Sequence, residues 1–161
     1  MAQEIERKFL MNCFPAGLEL MREVDIWQGY ISIEPEVRIH HAIDRKTGDE
    51  NFCLTLKGEG TLSRTEIKTT IDEAFYKEAL TLIPGSMIYK DYRSYRLGNG
   101  ILEVCHVDPD SEHAFYYAEV EFSTQEDAYA FIKPTFLGEE VTEIDCYKMK
   151  NYWKNTRLKE E

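Results

Sequence analysis

Long apolar runs, paired cysteines and linker-like sequence are all missing from this chain of 161 residues. No run of 18 apolar residues occurs, which argues against a membrane-spanning helix. The opening MAQEIERKFL alternates charge with apolar residues where a secretory signal would build an apolar block. Cys13, Cys53, Cys105 and Cys146 are widely spaced with no C-x-x-C pair, so they read as reduced thiols and as neither a disulfide framework nor a zinc site. A soluble, cytoplasmic protein is the expectation. No Pro/Gly/Ser-rich linker, low-complexity segment or internal repeat marks a boundary, so residues 1–161 are expected to form one domain, long enough to bury a core without staples.

Basic residues are also in the minority. Lys and Arg number 19 against 30 Asp and Glu, a formal net charge of -11. Non-specific affinity for nucleic acid or anionic membrane comes from Lys and Arg, so neither is expected as a partner, and a polyanionic ligand would need a local basic site. The histidines do not make a metal set: His40 and His41 are adjacent on a strand and face opposite ways, while His106 and His113 are joined by an irregular acidic loop. Gly58-Glu59-Gly60 lacks a third glycine and leads into a strand, and neither a P-loop nor a G-x-S-x-G turn exists.

What the chain does have is alternation. EIERKFL, GYISI, EVRIHHAI, ENFCLTLKG, RTEIKTTI, MIYKDYRSYRL, ILEVCHV and FYYAEVEF each alternate with period two, and turn chemistry at Lys46-Thr47-Gly48-Asp49 and Asn99-Gly100 implies antiparallel hairpins, the latter of type I′. Three short amphipathic helices are expected besides. The first is capped by Asp72, with Phe75, Ala79 and Leu82 as its stripe and Glu73 facing Lys77. The second carries a Ser123/Glu126 capping box, and the third opens near Asp145 with Met149 and Trp153 on one face and Lys148, Lys150 and Lys154 around it. The fold class is α+β, dominated by an antiparallel sheet.

Nearly every strand has one apolar face and one charged face of mixed sign. Glu4, Glu6 and Lys8 oppose Ile5 and Phe9; Arg38 and His40 oppose Val37 and Ile39; Glu119 and Glu121 oppose Val120 and Phe122. An open sheet with a solvated face satisfies this pattern. So does an eight-stranded antiparallel barrel with a charged lumen and helices packed outside, and the use of Arg38, Arg64 and Arg93 together with two Glu-x-Glu pairs favours closure. Residues i and i+2 lie about 6.6 Å apart on one face, so each pair aims two carboxylates at a small volume, where a hard divalent ion relieves the repulsion. The inward groups balance: Glu4, Glu6, Glu66, Glu103, Glu119 and Glu121 against Lys8, Arg38, Lys57, Arg64, Lys68 and Arg93. One or two bound divalent ions would make such a lumen positive and suited to a triphosphate chain.

Taken in order, Glu4-x-Glu6-x-Lys8, Arg38-Ile39, Leu54-Thr55-Leu56-Lys57-Gly58, Arg64-x-Glu66, the Lys90 to Arg93 segment, Leu102-Glu103-Val104 and Ala118-Glu119-Val120-Glu121-Phe122 resemble the motifs of the CYTH, or triphosphate tunnel metalloenzyme, family in its compact bacterial type. The resemblance covers nearly the whole chain. It implies an eight-stranded tunnel and hydrolysis of inorganic tripolyphosphate or another triphosphate, with at least one Mg²⁺ or Mn²⁺ held by Glu4, Glu6, Glu119 and Glu121. By the same resemblance Lys8, Arg38, Lys57, Arg64, Lys68 and Arg93 bind substrate, Lys8 and Arg38 are the catalytic pair, and Lys8 orients the attacking water. Departures stand at His40, where the family often has Arg, at Lys68, where Glu is common, and at Cys105, where Asp is common. A class IV type adenylate cyclase and a non-catalytic polyphosphate- or nucleotide-binding module are the alternatives. The implied partners are a small-molecule triphosphate and, at most, a second copy of the chain in a homodimer.

Overall fold

The computed structural model describes residues 3–158. Eight antiparallel strands close into a barrel: β1 (Gln3–Met11), β2 (Leu20–Ser32), β3 (Glu36–Asp44), β4 (Glu50–Lys57), β5 (Ser63–Thr70), β6 (Ile88–Leu97), β7 (Gly100–Val107) and β8 (Phe115–Glu121), in the order β1-β5-β4-β3-β2-β6-β7-β8 with β8 returning to β1. The ring is completed by the β8–β1 pairing and by a short β1–β5 seam. All eight alternating segments are strands, but β2 is much longer than GYISI. Its first half was not legible because its faces are reversed: Val24, Ile26 and Gln28 line the bore, while Glu23 and Asp25 lie outside, where Arg45 pairs with Asp25 at 2.8 Å. No helix among the described residues is long and apolar enough to cross a membrane.

The β6–β7 hairpin pairs Leu97 with Gly100, so its two-residue loop is Gly98-Asn99, and the positive φ falls on Gly98 at 58°. That is the pattern of a type II′ turn, which wants glycine at its first central position, and it replaces the type I′ turn expected at Asn99-Gly100.

Outside the wall, α1 (Glu73–Leu80) covers β3 and β4. Asp72 accepts from the Phe75 amide and Glu73 pairs with Lys77 at 3.1 Å, but Tyr76 and Ala79 are the buried residues while Phe75 and Leu82 stay exposed. The second helix, α2 (Gln125–Ala130), is capped one residue later than expected, by Thr124 Oγ1 accepting from the Asp127 amide at 3.0 Å. Arg7 on the outer face of β1 fastens its end, donating to the carbonyls of Ala128 and Phe131 and pairing with Glu140 at 2.7 Å.

The third helix does not open at Asp145. A 3-10 turn occupies Asp145–Tyr147, Lys148 is extended, and α3 (Met149–Arg157) begins after it, with Met149, Tyr152 and Trp153 buried against Tyr30, Ile88, Val107 and Tyr117. This apolar floor closes one end of the barrel. Just before it, residues 138–141 run along the part of β1 that β5 does not reach, with the Gly138 amide bonded to the Leu10 carbonyl at 2.9 Å and the Val141 amide to the Lys8 carbonyl at 2.8 Å. A Cβ at position 138 would collide with the Leu10 carbonyl, so the close approach requires glycine.

Asp108 anchors α3. Its side chain is 8% exposed and accepts from Tyr152 Oη and Arg157 Nη1, both at 2.6 Å, and from the Tyr89 amide at 3.1 Å. Burial pushes its carboxyl up, but the bonds from Arg157 and Tyr152 outweigh it and leave it below its ordinary value. Removing one partner of such a pair leaves the other charge buried, so Asp108→Ala is expected to lose about 3 kcal/mol or more in urea unfolding. Because the folded-state value is depressed, this contribution is full above the unfolded carboxyl value of 3.8 and fades as pH falls through the folded one. The stability difference between wild type and Asp108→Ala therefore narrows below about pH 4. A difference that stays constant with pH would contradict it.

Candidate active site

Inside the barrel is a cavity of about 300 Å³. Its open mouth is bordered by Asn51, Lys68 and Glu121, all exposed. The pleat decides who enters: one residue in two on each strand faces the bore, and cross-strand register sets neighbours in rings. Glu6 pairs with Glu121 and Lys8 with Glu119; Glu119 also pairs with Glu103, Arg38 with Thr55, and Lys57 with both Glu36 and Glu66.

The acidic part centres on Glu4, Glu6 and Glu121, which can each offer an oxygen within 4.8 Å of the others. Glu119 is set aside from this trio. It is a hydrogen-bond partner of Glu6: burial raises Glu6, the Glu119 and Glu4 charges raise it further, and Glu6 is held well above the usual carboxylate range. Burial also acts against ionised Glu119, but the hydrogen bond from Glu6 and the Lys8 and Lys90 charges prevail and keep it below. The same division holds for Glu4 and Glu66. Burial opposes ionised Glu4, yet the bond from Glu66 and the charges of Lys57 and Arg64 hold it low, while burial and that shared bond raise Glu66. Glu103, buried and facing Glu119 and Glu121, is pushed up to about 8.

The basic part lies on the remaining walls. Lys57 reaches Glu4 at 3.2 Å and Glu66 at 3.3 Å, and Arg64 reaches Glu4 and Glu36 at 3.4 Å each. Arg38 is different: its Nε is shielded from solvent and finds no acceptor among the described residues. Lys8 donates one proton to the Tyr147 carbonyl at 2.5 Å and sits over the Tyr117 ring at 4.1 Å. Lys90 approaches the same ring at 5.3 Å, and burial with the Arg38 charge brings its ammonium down to about 8.

The bore thus gathers Glu4, Glu6, Lys8, Arg38, Lys57, Arg64, Glu66, Lys68, Glu103, Glu119 and Glu121. It does not include Arg93. Arg93 lies on the outer face of β6, paired with Asp91 at 3.1 Å and Glu23 at 3.6 Å and stacked over Phe14 at 3.9 Å. Lys90 holds the inward position in its place. The segment Lys90-Asp91-Tyr92-Arg93 is polar on both faces, so alternation could not choose between them. Parity could have: Arg93 is three residues from Lys90, so the two cannot share a face of a regular strand. Glu36, 5% exposed on the bore face of β3, was missed although it shares the parity of Arg38 and His40, which points it inward. Of the basic residues near the last helix, Lys148 and Lys150 line the closed end, with Lys148 bonded to the Gly60 carbonyl at 3.2 Å, while Lys154 is exposed.

No family model matches the chain. Over 150 residues it is 37% identical to the inorganic triphosphatase of Nitrosomonas europaea, covering 91% of this chain and 94% of that protein. A crystal structure of an inorganic triphosphatase aligns with a TM-score of 0.63 at 31% identity, over 94% of this chain and 95% of the other. A Hippeastrum protein, named as an adenylyl cyclase with a dominant triphosphatase activity, shares the fold at 14% identity with a TM-score of 0.52, over 80% of this chain and 83% of its own. With its closed eight-stranded bore lined by converging carboxylates and by Lys and Arg side chains, the chain belongs to the CYTH, or triphosphate tunnel metalloenzyme, family.

Proposed function

We propose that this chain is a divalent-metal-dependent triphosphatase that hydrolyses the terminal phosphoanhydride of inorganic tripolyphosphate bound along the bore, with residues 1–161 acting as one domain. The observation that carries this reading is what one cavity gathers: three converging carboxylates, and on another strand an arginine whose shielded Nε finds no acceptor among the described residues. A relative with this activity, 37% identical over most of the chain, supports it.

The acidic trio fits a hard cation. Three carboxylate oxygens within 4.8 Å of one another repel unless a positive charge lies between them, and an all-oxygen donor set suits Mg²⁺ or Mn²⁺. Glu4, Glu6 and Glu121 would hold the ion, with Glu119 supporting Glu6; bound there it supplies positive charge to phosphate oxygens. The protein's own residues do the rest. Arg38 offers its unpaired Nε–H and its planar guanidinium to the phosphoryl group on which charge grows. Lys57 and Arg64, which lean on Glu4, are placed to hold the inner phosphates once the Glu4 charge is shared with an ion. Lys8 spends one of its three donors on the Tyr147 carbonyl and keeps two for phosphate and the attacking water. The bore walls hold the chain extended for in-line displacement and reduce competing solvent.

Phosphate release from tripolyphosphate is expected with Mg²⁺ or Mn²⁺ and not after chelation. The double variant Glu4→Ala, Glu6→Ala should lose roughly 10²-fold or more in kcat/KM, and Arg38→Ala roughly 10²- to 10³-fold in kcat, with circular dichroism unchanged. Tripolyphosphate turnover no faster than in the double variant would refute the proposal.

The bore-facing and outward positions of β6 should separate in kinetics. Lys90→Ala is expected to raise KM by about tenfold or more, as for loss of a charge-assisted contact. Arg93→Ala, whose partners are surface carboxylates, should leave KM within about twofold. The reverse ranking would place the phosphate on the wrong wall.

A further inference from the structure

Two residues beyond Arg38, the bore face of β3 carries His40. Its cross-strand neighbours are Gln28 on β2 and Cys53 on β4, and Gln28 commits its amide to the Tyr30 hydroxyl at 3.2 Å. The strongest charges acting on the ring all belong to basic groups: Arg38 on its own strand, Lys68 on β5, Lys90 on β6, and adjacent His41, which faces outward and stacks on Phe52. Burial and these cations bring the imidazole down to about 3, so it is neutral at pH 7. A side chain with two hydrogen-bonding nitrogens therefore sits among the cations of the bore without a charge of its own.

What keeps the ring neutral is burial first and then a positive field; a polyanion lying against Arg38, Lys68 and Lys90 reverses that field, and its oxygens give a charged ring the acceptors that burial denies it. We propose that His40 is a substrate-contacting residue that takes a proton from solvent as tripolyphosphate enters, donates to a phosphate oxygen as an imidazolium, and returns the proton when product leaves. This rests on the triphosphatase reading and deepens it. The atoms balance without any co-reactant: one proton passes from buffer to a ring nitrogen on binding and back on release. An arginine at this position would hold its charge permanently, adding to the repulsion among the bore cations. Histidine acquires the charge only when an anion offsets it. By linkage, each proton taken up weakens anion affinity tenfold per pH unit over the range in which it is bound in the complex and absent in the free protein.

Calorimetric titration of the full chain with tripolyphosphate, without divalent ion so that turnover does not intrude, at pH 6.5 in two buffers of different ionisation enthalpy, counts the protons. At that pH Lys90 already carries its proton, and contributions from Lys8, the bore carboxylates and the substrate are common to all variants. Wild type is expected to take up close to one proton more than either His40→Arg or His40→Gln. Between pH 6 and 8, its dissociation constant should rise up to tenfold per pH unit more steeply than that of the His40→Arg protein, which should keep its affinity while His40→Gln loses it. Equal proton counts in wild type and His40→Gln, which keeps the bore charge and is the safer variant for folding, would overturn the role of His40 and leave the triphosphatase reading standing. No binding of tripolyphosphate by wild type, either without divalent ion or with Mg²⁺ added, would overturn both.

Discussion

Charge enclosed by a protein wall must find its counter-charge within that wall, and this constraint organises the whole bore. Glu4 stays ionised because Lys57 and Arg64 reach it and Glu66 gives it a hydrogen bond. Glu6 and Glu119 lean on each other, the hydrogen bond between them raising the one and lowering the other. Each such arrangement is a substitute for water. In a site of reduced dielectric the same groups act more strongly on any ion that enters, and their orientation is already set by the strands that carry them. Local neutrality of the lining and avidity for a cation together with a polyanion are thus two results of one arrangement.

The barrel that imposes this enclosure is not closed by its named strands alone. The β1–β5 seam pairs only Gln3, Glu4 and Ile5 with Thr65, Arg64 and Ser63. Further along, residues 138–141 take over the edge of β1, and the chain then turns through Tyr147, whose carbonyl receives the Lys8 ammonium, into α3. Hydrogen bonds along β1 therefore tie the floor of the cavity to the strand bearing Glu4, Glu6 and Lys8. Asp108 and Arg157 hold the far end of α3. The site is fixed on one side by backbone bonds along β1 and on the other by this buried side-chain pair.

Two walls obey different rules, and that difference governs what alternation could reveal. On β1, β3, β4, β7 and β8 the apolar side faces out, where Phe9, Ile39, Leu102, Val104 and Val120 are buried beneath other chain segments, and the charged side faces in. On β2 and β6 the outer surface is itself charged, with Arg45 linking Asp25 and Asp91, Arg93 leaning on Glu23, and apolar Val24 and Ile26 turned inward. A helix does not need to cover a surface that satisfies itself with ion pairs. Where the first rule holds, the strand, its faces and most of its bore residues were readable. Where the second holds, half of β2 went unread and Arg93 was placed on the wrong side.

By itself the sequence determined the period-two pattern, the number of strands, the capped first helix and the six carboxylates Glu4, Glu6, Glu66, Glu103, Glu119 and Glu121 that reach the bore. These depend on neighbours one to four residues apart, and local spacing is what a linear string records. Only the tertiary structure decided that Glu121 converges with Glu4 and Glu6 while Glu119 turns to hydrogen-bond Glu6, that Lys90 enters the bore, and that the Tyr147 carbonyl joins it. Those depend on cross-strand register and on which of two polar faces is enclosed, and both are settled by closure of the barrel, where residues more than a hundred positions apart are brought into contact.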